Sequence, residues 1–191
     1  MTRRVCPIGS TQIEDLLPAL ADLLAETVNG GEPLGFLPPV SVVECRNYWL
    51  SLRGELRAGS RLLFGVWVGD RLAGSGQLAL PRWPNARHRA EVNKVLVATA
   101  LRGQGIGRYL LGAIHEAAQQ RGRTLLLLNT RRGGRAEPFY RRVGYREAGM
   151  IPGYAIGPGG EAVDSLLMYR SLCAEDREDV TPSTQVTHLR R

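Results

Sequence analysis

Apolar positions along the chain follow two rhythms. Between the glycines near residue 105 and Arg121 they recur at Ile106, Leu110, Ile114 and Ala117, spaced four, four and three. That spacing is one face of a helix. The same rhythm runs through Ile13, Leu16, Leu17, Leu20, Leu23 and Leu24, and again through Val42, Cys45, Trp49, Leu52 and Leu56. Each of these two stretches carries a hydroxyl residue with a glutamate three positions on, Thr11 with Glu14 and Ser41 with Glu44. Such pairs form capping boxes, in which both side chains satisfy free backbone N–H groups. Two further helices are therefore predicted. Pro18 kinks or restarts the first, and Asn29-Gly30-Gly31 ends it. Gly59 stops the second, and Trp49 is expected in the core.

The other rhythm belongs to strands. They are predicted at Arg3–Ile8, Leu62–Val68, Arg71–Leu80 and Arg89–Val97. Gly69-Asp70 suits the two-residue turn of a hairpin. Thr124–Leu128 is a nearly continuous apolar run, as expected of a strand buried on both faces. A short helix is expected over Glu137–Val143, with Pro138 tolerable in its first turn. Tyr145–Ile151 and Val163–Leu172 read as the last strands, around a connection from Pro152 to Gly160. Loops are expected at Gly31–Pro39, Pro81–His88 and Thr130–Arg135. Strand, two helices, antiparallel strands, then strand–helix–strand–helix–strand is an α/β order with a mixed sheet.

Composition narrows the class. The 191 residues are 43% hydrophobic, enough for one domain with a real core, taken as residues 1–173. Residues 174–191 are polar and mixed in charge, and a disordered tail is expected there. No apolar run approaches the roughly 18–20 residues of a membrane helix, and the N-terminus lacks the apolar run of a signal peptide. Cys6, Cys45 and Cys173 are scattered, with neither disulfide nor metal spacing. The simplest compartment is a reducing cytoplasm, and no membrane partner is expected. Net charge is +7, but the arginines are spread out and no nucleic-acid motif or stacking platform accompanies them. Nucleic-acid binding therefore ranks low.

The candidate chemistry starts at the central helix. Val95–Val97 is a short β-branched run, and an arginine- and glycine-rich turn, Arg102–Arg108, leads into the helix. Glycine lets a backbone approach a ligand closely. A helix's first turn offers free N–H groups and a partial positive charge. Together they favour an anion, usually phosphate. The P-loop pattern fails for want of a Gly-Lys pair, and the dinucleotide fingerprint fails at Arg108.

Arg102-Gly103-Gln104-Gly105-Ile106-Gly107 resembles the acetyl-CoA loop of the GNAT acetyltransferase superfamily, Arg/Gln-x-x-Gly-x-Gly/Ala. Ala136-Glu-Pro-Phe-Tyr140 with Gly144-Tyr145 resembles its later motif. Within the superfamily, Leu24–Gly31, Gly35-Phe36, Ala90–Lys94 and Pro152–Tyr154 are similar to the tabtoxin-resistance type. The resemblance implies the GNAT fold: a mixed, mostly antiparallel central sheet with a splayed acetyl-CoA-binding strand and flanking helices. It implies acetyl-CoA as cosubstrate. The backbone of Val95, Leu96 and Val97 would hold its pantetheine arm, and Arg102, Gly103, Gln104, Gly105, Ile106, Gly107 and Arg108 its pyrophosphate.

The resemblance also assigns roles. Tyr140 matches the tyrosine that protonates the departing sulfur, a task that suits a phenol protonated at neutral pH. Glu91 matches a glutamate that takes the proton of the acceptor amine. Without the resemblance, Tyr140 reads as a core tyrosine and Glu91 as an exposed strand charge. Phe36, Asn129 and Tyr154 are expected at the acceptor. Two positions depart from the pattern. Asn129 stands where the tabtoxin-resistance type carries an aspartate, and asparagine cannot act as a base. Gly133 stands where many members have an asparagine on the cofactor. His88 and His115 read as surface or structural residues.

The function implied is acetyl transfer from acetyl-CoA to the primary amine of a small, antibiotic-like or amino-acid-like molecule. The alternatives are a protein or peptide N-acetyltransferase and a non-catalytic acyl-CoA sensor. A homodimer is left open.

Overall fold

The computed structural model describes residues 2–32 and 34–173. The tail expected at residues 174–191 lies outside them. The elements run β1 (Arg3–Ile8), α1 (Leu17–Asn29), α2 (Val42–Ser51), α3 (Arg53–Arg57), β2 (Arg61–Val68), β3 (Arg71–Ala79), β4 (Arg89–Val97), α4 (Ile106–Gln119), β5 (Leu125–Arg131), α5 (Ala136–Arg142), β6 (Arg146–Ile156) and β7 (Ala162–Ser171). The strands form one sheet in the order β1-β2-β3-β4-β5-β7-β6. Every neighbouring pair is antiparallel except β4 and β5, which α4 connects in parallel. Among the described residues, no helix is long and apolar enough to cross a membrane.

Alternation along the strands divides the core between the two faces of the sheet. Phe64, Val66, Leu78, Ala90, Val92, Leu126 and Leu128 pack with the predicted helix face Ile106, Leu110, Ile114 and Ala117, all buried. Leu63, Leu72 and Leu96 pack with α1 and α2 on the other side. Trp49 is buried there, and its indole N–H donates to the Leu20 carbonyl at 2.9 Å.

The two capping boxes part company. At α2 the box forms: the Glu44 N–H donates to Ser41 Oγ at 3.2 Å, and the Ser41 N–H to Glu44 Oε2 at 2.9 Å. Cys45, Trp49 and Leu52 are buried, but Val42 is exposed, and the helix breaks at Leu52 before restarting as α3. At Thr11 no box forms, because α1 begins only at Leu17 with Pro18 in its first turn. Proline lacks an N–H, which would break a helix interior but costs nothing in a first turn, so the helix starts there. Residues 10–16 are turns instead, and Gln12 Oε1 accepts from the Gly9 N–H at 2.9 Å. Ile13 is buried all the same.

Two strand expectations are corrected. The run after Thr124 is not buried on both faces: Leu126, Leu128 and Thr130 are buried, while Leu125 and Leu127 are half-buried and Asn129 is exposed. The strand also runs on to Arg131, where a loop was expected. The supposed connection after Ile151 is strand too, since β6 passes through Pro152 to Ile156. It is the sheet's edge, where a proline without an N–H is tolerated, and its pairing with β7 is irregular between Ile151 and Ala155.

Candidate active site

β4 and β5 lie side by side only briefly. Arg89, Ala90 and Glu91 pair with Leu125, Leu126 and Leu127, and there the ladder stops. β5 continues to Arg131 against β7, and β4 continues to Val97 against β3. The divergence has a local cause. Gln77 faces Asn93 and Ser75 faces Leu96, so Lys94 and Val95 together oppose Gly76. This extra residue is a β-bulge, which bends its strand. Lys94 sits at φ 48 to accommodate it. Two glycines of β3 make room. A Cβ on Gly74 would lie 2.7 Å from the Leu96 carbonyl oxygen, and one on Gly76 would lie 2.9 Å from Ile114 Cδ1. Beyond Glu91, the edge of β4 that faces β5 therefore has no ladder partner among the described residues. It is a row of polar backbone groups open for another extended chain.

The glycine loop stands at the end of that edge. Gly103 and Gly105 have φ 76 and 80, and a Cβ on Gly103 would meet nothing within 4 Å. Gly105 is the N-cap of α4 and brings no side-chain acceptor, so the first N–H groups of this 14-residue helix stay free of a side-chain cap. Arg102 works inside the loop: its Nε donates to the Val97 carbonyl at 3.1 Å and straps the turn to β4. Glu26 of α1 accepts from the Thr99 N–H at 2.7 Å, and bonds from Thr99, then the charges of Arg71 and Arg102, hold its carboxyl below the usual range. Gln104 is exposed, its amide reaching only the Ala100 carbonyl at 3.5 Å. Arg108 lines a shallow groove with Val5, Gly105 and Tyr109. Arg3 arrives from β1, its Nη1 3.8 Å from where a Gly105 Cβ would stand. No periodicity in the sequence pointed to Arg3. Gly107 has a packing role as well: a Cβ there would lie 3.0 Å from Cζ of Phe139. Its bareness seats α5 against α4.

An open backbone edge leading to bare helix N–H groups fits a ligand with an amide-bearing arm and a phosphate end. The residues present thus fit coenzyme A, as the sequence resemblance implied.

The remaining predicted residues divide between the faces. Ala90, Val92, Leu126 and Leu128 face α4, so Glu91, Asn93 and Asn129 belong to the opposite face. Glu91 Oε1 accepts from Arg89 Nη1 at 3.0 Å. Asn129 is exposed, opposite Leu167. On the same face, Tyr48 of α2 exchanges hydrogen bonds with Gln77, whose Oε1 also accepts from Arg61 Nη1 at 2.9 Å. Phe36 meets Tyr48 edge-on at 5.5 Å. Tyr140 packs in the α4 cluster, 5.3 Å from the Phe139 ring and 5.7 Å from Tyr145. Burial, and then the charge of Glu32, push its phenol well above the ordinary tyrosine range. His115 joins Tyr145 through Nε2 at 3.0 Å, a structural link. Tyr154 is exposed on β6, beside Gly153, whose N–H donates to Asp164 Oδ1 at 3.0 Å. Among the described residues, no hydrogen bond or ring contact ties Tyr154 to Phe36 or Asn129. Lys94 and Tyr48, which do meet Phe36, were not singled out from the sequence. A bulge breaks the period-two pattern that would have given Lys94 a face.

Residues 61–147 match the family model described as an acetyltransferase (GNAT) domain. Over 121 residues the chain is 31% identical to an uncharacterized N-acetyltransferase in the hisH–hisA intergenic region of Azospirillum brasilense, covering 62% of this chain and 70% of that protein. Among solved structures, the ribosomal-protein-alanine N-acetyltransferase of Brucella melitensis superposes with a TM-score of 0.72 at 25% identity, over 90% of this chain and 100% of that one. A putative acetyltransferase from Salmonella typhimurium, solved with its cofactor acetyl-CoA, gives a TM-score of 0.74 at 15% identity, over 95% and 100% of the two chains. The latter is a likeness of fold.

Proposed function

The chain belongs to the GNAT acetyltransferase family, whose acetyl donor is acetyl-CoA, and on that premise we propose that it acetylates the primary amine of a small, amino-acid-like or antibiotic-like molecule. The observation that supports a small acceptor is the loop after α1. It folds down onto β4, where the Lys94 ammonium donates to the Leu34 carbonyl beside the rings of Phe36 and Tyr48. A loop tied down over this face of β4 suits a compact molecule better than an extended peptide. Of the stretches similar to the tabtoxin-resistance type, Gly35-Phe36 lies in this loop and Ala90–Lys94 on the strand beneath it, and both point the same way.

The bound donor supplies a thioester already activated toward amines. The protein's part is to orient, to stabilise charge and to move protons. Backbone N–H groups on the open edge of β4, at Val95–Val97, hold the carbonyl oxygen as it gains charge. Glu91 accepts the amine's proton, directly or through water. Tyr140 holds a proton on Oη for the sulfur. Burial makes its phenol a weaker acid, yet a thiolate in the same apolar surroundings becomes a stronger base for the same reason, so the two remain matched.

The test is release of free CoA thiol across a panel of amines. Turnover of small amines, with none on peptide N-termini, is the expected result. A second reading, acetylation of a protein N-terminus, draws on the name of the Brucella relative. Turnover confined to alanine-starting peptides would establish that reading instead. Acetyl-CoA binding with no thiol release from any amine would leave a sensor.

A further inference from the structure

Resting on the small-amine reading above, we infer that Lys94 is the anchor for a carboxylate on the acceptor, so that the substrate is an amino acid or a molecule bearing an amino-acid end. Three observations carry this. The first is backbone strain. Among the described residues, only Leu34 and Lys94 are non-glycine residues with positive φ, 47 and 48. A long side chain rarely adopts that conformation, and it persists only where its surroundings over-determine it. The two strained residues touch, through the bond from Lys94 Nζ to the Leu34 carbonyl. The strain has a geometric effect. Strict alternation after Asn93 would send Lys94 toward α4; the bulge turns it instead onto the face of Tyr48 and Phe36, which also carries Glu91.

The second observation is an unmatched charge. The Lys94 ammonium is half-buried, 5.8 Å from the centre of the Phe36 ring and 5.5 Å from that of Tyr48. None of the ion pairs among the described residues includes it. Its neighbours on this face are already engaged: Arg61 with Glu55 at 2.7 Å, Arg89 with Glu91 at 3.0 Å. One carbonyl and two ring faces leave the other N–H donors of an ammonium without an anionic partner. Burial, and then the charge of Arg61, hold the ammonium below the ordinary lysine range, a cost that an arriving carboxylate would offset.

The third is spacing. Glu91 and Lys94 stand three residues apart on one strand, about 10 Å. With the two long side chains converging across that backbone spacing, an amino acid fits between their ends, its amine toward the glutamate and its carboxylate toward the lysine. Gly35 keeps the loop close enough for this, since a Cβ there would come within 3.3 Å of Lys94 Nζ.

The experiment pairs each amino acid in the panel with its decarboxylated amine and its amide. A charge-assisted hydrogen bond predicts kcat/KM about 10–100-fold higher for the acid than for its neutral partners. In Lys94→Met that ratio should fall to about one, while acetyl-CoA affinity measured by calorimetry stays within about twofold. Lys94→Gln, which can still donate to the Leu34 carbonyl, should lose the ratio as well, separating the charge from the loop tie. Equal rates on acids and amines in the natural protein would overturn the assignment and leave the small-amine reading standing. A ratio that survives both substitutions would overturn it too, and Lys94 would then be a latch for the loop. Turnover of peptides alone would sink both readings together.

Discussion

The role proposed for Tyr140 is chemically demanding, and the side chain is buried. The same burial that keeps its phenol neutral makes a single-atom test clean. Tyr140→Phe should lower kcat about 100-fold or more, the scale of a lost general acid, with acetyl-CoA affinity unchanged. Full activity would return Tyr140 to the core. Glu91 is the opposite case, with about half of its side chain exposed and an ion pair to Arg89. Pairs of that kind are worth little and break easily, so the carboxylate remains available as a base. Glu91→Gln should depress kcat/KM mainly near neutral pH and recover toward the amine's own pKa, where the nucleophile is already free. An unaltered pH profile would move the base elsewhere. Ser75 offers a stability test. Among the described residues its Oγ is buried without a hydrogen-bond partner, so Ser75→Ala should stabilise the protein by about 1 kcal/mol. For a domain of this size that raises Tm by about 2–4 °C, readable by calorimetry.

At the scale of elements, the glycine loop and α5 form one working unit. Gly105 and Gly107 resemble each other in sequence and differ in purpose. Gly105 needs its left-handed backbone to cap α4, whereas Gly107 has ordinary helical geometry and needs only the absence of a side chain beneath Phe139. Gly105→Val should therefore cost about 1–2 kcal/mol in backbone strain and weaken acetyl-CoA binding. Gly107→Val should push α5 outward. Tyr140 lies one residue beyond Phe139, so kcat should drop roughly 10–100-fold, as a catalytic group displaced by about an ångström would dictate, with a smaller change in acetyl-CoA affinity. Calorimetric binding measured beside steady-state rates separates the two. Equal losses of affinity in both variants would show that Gly107 also borders the ligand.

For the whole molecule, the join between α4 and the chain after α5 sets a pH limit. His115 is largely buried against Tyr145, and desolvation, then the charge of Arg170, lower its pKa from 6.5 to about 4. Between those two values the unfolded chain binds a proton that the folded one refuses. Stability is therefore complete above pH 6.5 and declines as pH falls toward 4. At about 1.4 kcal/mol per pKa unit, the loss amounts to a few kcal/mol. Thermal melts from pH 7.5 to 4.5 should show it, and His115→Gln, which keeps a hydrogen-bonding group there without the titration, should flatten the slope. The same slope in the variant would place the acid sensitivity in other groups.

The sequence by itself determined whatever depends on near neighbours. The faces of α4 and α2, the Ser41–Glu44 box, the Gly69-Asp70 hairpin and the glycine loop all follow from residues within four positions of one another, the reach of a helix turn or a tight turn. The family motifs were legible for the same reason, being short and contiguous. Tertiary structure decided the rest. Whether Thr11 capped a helix depended on where Pro18 restarted it, and whether Pro152 ended a strand depended on β6 lying at an edge. The splay of β4 from β5 and the inward turn of Lys94 came from a register shift against Gly76, about twenty residues away. Strand register is fixed by partners distant in the chain, and a one-residue bulge reverses every face that local alternation predicts.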